Sequence, residues 1–135
     1  MSALEFALTF RGQAAQVNDD PVTLEARTTA QGLSDMASFA ENEARFQSRV
    51  VFTGDGEFQE DGVIDYGDGD TLEFSTVGSG HIGPSAVEGL QHGAVSWRID
   101  KGTGRFENAS GLITSNFTVD AEGGVTDRHF VVLHA

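Results

Sequence analysis

Polar and apolar side chains alternate along most of this chain, in short runs separated by glycine- and aspartate-rich breaks. A period of two sends successive side chains to opposite faces of an extended backbone, so each run reads as a half-buried β-strand. Leu4, Phe6, Leu8 and Phe10 alternate with Glu5, Ala7, Thr9 and Arg11 in the first run. Val22, Leu24 and Ala26 mark the second, after the turn signal Asn18-Asp19-Asp20-Pro21. Phe46, Ser48, Val50 and Phe52 share one face of a third strand over 44–53. Short strands follow near 57–60, at 63–66 and at 71–77, the last two joined by the hairpin turn Gly67-Asp68-Gly69-Asp70. Val95, Trp97 and Ile99 share a face of a strand over 94–99, and strands at 112–119 and 125–133 complete the chain. Only 31–43 is ambiguous: Met36, Phe39 and Ala40 have helical spacing, which fits a short helix or an irregular loop.

Roughly eight strands at near-even spacing, with turn signals between them, predict an all-β protein. The expected form is a single eight-stranded, mostly antiparallel barrel with little helix, one domain over 1–135. A chain of 135 residues can build one core and still enclose a cavity. Its 21 acidic residues against eight Lys plus Arg give a net charge of −13. That leaves no basic footprint for nucleic acid or an anionic membrane. Asp55, Glu57, Glu60, Asp61, Asp65, Asp68 and Asp70 stand among glycines and read as solvated turns that favour solubility. A calcium loop counted from Asp65 fails, because Thr76 occupies the twelfth position where a bidentate Glu is needed. The absence of cysteine removes disulfides and thiolate chemistry. With no basic or apolar leader at Met1-Ser2-Ala3, it predicts a cytoplasmic protein.

One motif points away from a barrel. Gly78-Ser79-Gly80-His81-Ile82-Gly83 follows a strand and matches the G-x-G-x-x-G dinucleotide fingerprint, with Asp100 downstream as a ribose partner. The segment 84–91 is short for a crossover helix and contains Gly89. The flanking strands carry Glu73, Ser75, Ser96 and Arg98, where a parallel core strand is nearly all apolar. A nucleotide-binding protein therefore ranks below the all-β reading, in which these glycines shape a loop across a barrel mouth. No G-x-S-x-G, H-E-x-x-H or P-loop is present, so hydrolase and phosphoryl-transfer readings fall away.

Between the strands over 94–99 and 112–119 lies Gly102-Thr103-Gly104-Arg105-Phe106-Glu107-Asn108-Ala109-Ser110-Gly111. Glycines on either side of one aromatic ring predict a corner at which Phe106 plugs a barrel end. The Gly-Thr-Gly-Arg-Phe-x-x-Ala-x-Gly run, with a strand before it and a β-hairpin after it, resembles the small barrels of the allene oxide cyclase and dirigent type. The resemblance implies an eight-stranded barrel around an elongated, largely apolar cavity that cyclises or steers a reactive small molecule. It carries no catalytic residue over to this chain, and any thiol role is excluded by the lack of cysteine.

The chemistry is read from the residues themselves. Asp127 and His129 are two apart on a strand, so they share a face about 7 Å apart, with Val125, Val131 and Leu133. A carboxylate beside an imidazole can act as a general acid–base unit, and a structural hydrogen-bonded pair fits the same pattern. His92 enters the Trp97 strand, and His81 lies in the glycine-rich loop. Trp97, Phe74, Tyr66, Phe117 and Phe46 point inward if the exterior is polar, as core or as cavity wall. The expectation is a cofactor-free isomerase or cyclase acting on an apolar small molecule. His129, Asp127 and His92 are its catalytic candidates; Trp97, Phe74, Tyr66, Phe117, Phe46 and His81 are its ligand contacts. No metal is expected: Asp-x-His could begin a site, but completing it with His92 or His81 needs a cross-strand proximity that the sequence does not show. The alternative from another class is a carrier barrel that binds an apolar ligand without chemistry. A homo-oligomer is compatible with either.

Overall fold

Nine antiparallel strands make up most of the described chain, and no α-helix occurs among the described residues. The computed structural model describes residues 3–17, 23–30 and 44–134. The strands are β1 (Ala3–Gln16), β2 (Thr23–Ala30), β3 (Ala44–Gly54), β4 (Glu57–Asp65), β5 (Thr71–Thr76), β6 (Gly80–Pro84), β7 (Gln91–Gly102), β8 (Ser110–Val119) and β9 (Gly124–His134). They hydrogen-bond in the order β3-β2-β1-β9-β8-β7-β5-β4-β6, and β3 also pairs with β4 and β6 with β7. The turn predicted at 18–21 and the ambiguous segment 31–43 lie outside the described residues.

Two expectations are corrected here. The short strands foreseen near 57–60 and 63–66 are one continuous β4 through Gly62. A Cβ at Gly62 would enter the Gln47 carbonyl and Ser48 of β3, so glycine there permits close approach of two strands rather than a break. The glycine-rich segment read as a loop or a phosphate-binding turn is strand β6, paired with both β4 and β7. No helix follows it. Residues 85–90 form a tight connection in which the Ser85 N–H donates to the Leu90 carbonyl at 3.0 Å. A Cβ at Gly80 would collide with the Phe58 ring, which is the physical demand that this glycine meets.

The alternation sorts the side chains much as its period requires. Phe6, Leu8, Phe10, Phe46, Phe74, Trp97, Ile113 and Val131 are buried on the core face, while Leu4 is 40% exposed. The centre of the core is aromatic: Phe74 stacks on Trp97 with centroids 3.9 Å apart, and Phe46 meets Trp97 edge-on at 6.0 Å.

The Gly102–Gly111 run ties one end of this sheet together. Gly104–Phe106 form a single 3₁₀ turn, with Gly104 at φ 62°. Thr103 Oγ1 donates to the Gly69 carbonyl at 2.7 Å, and the Arg105 N–H donates to Asp70 Oδ1 at 2.9 Å. Asp70 also pairs with the Arg105 guanidinium at 3.0 Å, so this acidic residue is a buried brace rather than a solvated turn residue. Phe106 is 3% exposed and packs edge-on against Tyr66, which in turn meets Phe6. The Phe106→Ala variant is expected to lose about 3–4 kcal/mol of stability in urea denaturation, as for other buried aromatic truncations. A loss under about 1 kcal/mol would show that the ring does not close this end.

Candidate functional site

Four strands each place polar side chains on the otherwise apolar core face. β3 supplies Ser48, β4 supplies Glu60, β8 supplies Ser115, and β9 supplies Asp127 and His129; all five are buried. The ladders bring them together: Gly62 of β4 pairs with Ser48, and Ser115 pairs with His129. The Ser115 hydroxyl donates to Asp127 Oδ1 at 2.5 Å, and His129 Nε2 lies 3.0 Å from Asp127 Oδ2. Both carboxylate oxygens of Asp127 are thus engaged. Across the face, the Ser48 hydroxyl donates to Glu60 Oε2 at 2.5 Å. Thr76 of β5 holds the Glu60 backbone: its hydroxyl accepts from the Glu60 N–H at 2.7 Å and donates to the Glu60 carbonyl at 2.8 Å. That double contact takes over where the β4–β5 ladder ends at Asp61 and Ser75.

The two carboxyl groups have different surroundings. Burial pushes the Glu60 carboxyl up from its ordinary 4.5 to about 8, and the nearby Asp127 carboxylate pushes in the same direction. The Ser48 hydrogen bond opposes this and is outweighed. The Trp97 indole N–H closes no hydrogen bond of normal geometry, yet it lies near enough to Glu60 to favour the ionised form slightly. At neutral pH Glu60 is therefore a carboxylic acid that can donate a proton. His129 sits in an aromatic box, with ring centroids 4.6 Å from Phe10, 5.1 Å from Phe46 and 5.0 Å from Trp97. Its Nδ1 has no hydrogen-bond partner among the described residues, so the imidazole's one polar contact is Asp127.

A cavity of ≈ 60 Å³ opens beside these carboxyls. Glu60 and Asp127 are its polar lining; Phe46, Val50, Phe52, Phe58, Ile82, Phe117 and other apolar side chains form the rest. The space holds a few waters' worth of volume, at roughly 10–15 Å³ each. It falls short of the roughly 300 Å³ at which small-molecule pockets begin. With the rings as they stand, only the reacting end of a larger molecule fits. The rings of Phe58 and Phe117 lie where a Cβ at Gly80 and Gly93 would be, so these glycines make room for them.

The candidate residues fall into two groups. Asp127 and His129 are brought together on the core face; Trp97, Phe74, Tyr66 and Phe46 are buried there, and Phe117 lines the cavity. His92 and His81 are not part of this cluster. Both are exposed on the opposite face, because they alternate with the inward residues Gly93 and Val95, and Gly80 and Ile82. Glu60, which reads as a solvated turn residue in the sequence, is only 7% exposed and belongs to the site. Its signal was position: Phe58, Glu60, Gly62 and Ile64 form one face of a strand, and a carboxylate on that face has to be buried. No protein-family model matches the chain, and no curated protein matches it significantly.

Glu60 keeps its proton up to about pH 8 in the folded chain, against 4.5 for the ordinary group. Between those values the folded state binds more protons than the unfolded one, so stability falls as pH rises and the loss is complete above about 8. Its full size is on the order of 4–5 kcal/mol. Urea denaturation from about pH 5 to 8 is expected to show this decline in the wild type and a much flatter profile in Glu60→Gln. Equal slopes in the two proteins would rule out a buried neutral acid at this position.

Proposed function

We propose that the sheet closes as a small barrel of the allene oxide cyclase type and that the protein is a cofactor-free isomerase or cyclase acting on an apolar small molecule. The pairing of β3, at one end of the run of neighbours, with β4, next to the other end, supports the closure. The observation that carries the activity is the pair of unlike carboxyls on one apolar cavity, Glu60 protonated and Asp127 braced by Ser115 and His129. Glu60 donates its proton to a substrate oxygen, a carbonyl or an epoxide, and so polarises it. Asp127 takes a proton from carbon, and His129 shares the charge that Asp127 carries. An isomerisation needs no net proton: the one delivered by Glu60 is matched by the one taken by Asp127, and return of that proton from Asp127 to Glu60 restores both groups. The apolar walls hold the reacting end of the substrate in place, which supplies the rest of the catalysis by positioning. His92 and His81 have no part in this chemistry.

The nine apolar residues among the eleven that line the cavity also favour the carrier reading, in which the same pocket binds and releases an unchanged ligand. Product analysis separates the two. Incubation with small unsaturated epoxides and enones, followed by native mass spectrometry and chromatography, is expected to yield rearranged product. Its rate should drop about 10²–10⁴-fold in Glu60→Gln, and wild-type activity should decline above about pH 8 as Glu60 ionises. Bound compound recovered unchanged from the wild type would establish the carrier instead.

A further inference from the structure

We infer a second, independent ligand site on the outer face of β6–β9: an open cleft that takes the oxyanion of a small organic acid or phosphate ester. The ladder register builds it. His81, Ala94, Asn116 and Arg128 stand in one row across the four strands, and Gly83, His92 and Thr118 stand in the next. Strands in a sheet are about 4.8 Å apart, so the side chains of a row are neighbours. Ala94 is exposed and small, and Gly83 has open space above it, so a hollow of ≈ 590 Å³ forms between the longer side chains. That volume lies in the range of small-ligand sites.

The cleft lining offers donors and no carboxylate. This is unusual for a chain in which acidic residues outnumber Lys and Arg by 21 to eight. Two other arginines among the described residues are engaged: Arg98 pairs with Asp100 and Arg105 with Asp70. The side chains of Arg128, His81, His92 and Asn116 make no hydrogen bond or ion pair with any described residue. A guanidinium fork beside an amide N–H₂ suits the two oxygens of a carboxylate or phosphate, and even a neutral imidazole donates one N–H. The flat floor of Ala94 and Gly83 receives the body of the ligand. A cation is disfavoured, since Arg128 repels it and no group of three or more His, Cys, Asp or Glu suited to a metal occurs among the described residues.

The test is a titration of ¹⁵N-labelled protein with inorganic phosphate and, separately, with benzoate, followed by amide shifts. Saturable changes confined to 81–83, 92–94, 116–118 and 126–128 are expected with at least one of the two. Saturation by benzoate alone assigns a carboxylate ligand, and by phosphate alone a phosphate ester. Arg128→Ala should weaken binding at least tenfold, while the exposed control Arg98→Ala leaves it unchanged. Linear changes spread over the whole surface, binding indifferent to Arg128→Ala, or saturation by zinc alone would overturn the site. None of these outcomes depends on chemistry in the cavity.

Discussion

Burying two carboxyl groups on the apolar face of one sheet is the constraint around which this molecule is arranged. An ionised carboxylate moved out of water without partners costs several kcal/mol, so each group has to be neutralised or bonded. The chain does one of each. Asp127 receives a hydroxyl from Ser115 and faces an imidazole, so both of its oxygens are bonded. Glu60 has a single side-chain hydrogen-bond donor and lies near Asp127, so desolvation wins and it holds its proton. Ser48, Ser115 and His129 are polar residues on the core face of three strands because these carboxyls require them, and Thr76 holds the Glu60 backbone. The proposed division of roles between acid and base rests on that asymmetry rather than on the identity of the residues.

The rest of the core is divided between a plugged end and a hollow one. At the first, Thr103, Arg105 and Asp70 bind the β4–β5 turn to the connection between β7 and β8, and Phe106 fills the space against Tyr66. At the other, glycines rather than large side chains stand beside Phe58 and Phe117, which leaves their rings to shape a cavity. Glycine thus serves two opposite purposes. Gly104 supplies a positive φ for a tight turn, and Gly80 and Gly93 supply absent side chains.

Much of the fold was legible because a period of two is unambiguous where one face is buried. The strands around Phe6, Phe46, Trp97 and Val131 could be placed from alternation alone, and so could the shared face of Asp127 and His129. Gly67–Asp70 declared its turn through residues that tolerate positive φ. What could not be read was anything set by partners distant in sequence. The Gly78–Gly83 fingerprint resembled a phosphate loop because the chain does not show that Phe58 packs over Gly80. Gly62 resembled a break because the approach of Ser48 is a tertiary fact. Glu60 was hidden by its neighbours: an acid among acids and glycines looks solvated until its strand is paired on both sides. His92 stands apart from the buried cluster because strand parity turns it to the outer face, which a histidine beside a tryptophan strand does not reveal until the inward face is known.

The central claim, that the folded chain keeps a neutral carboxylic acid at Glu60 beside an Asp127 carboxylate, is tested most directly by carboxyl ¹³C NMR. Glutamate labelled at Cδ, with Glu60→Gln used to assign the resonance, gives the titration of this one group. A midpoint near 8 for Glu60 is the predicted result. A midpoint near the ordinary 4.5 would mean that Glu60 is ionised at neutral pH and that the proton donor of the proposed chemistry does not exist.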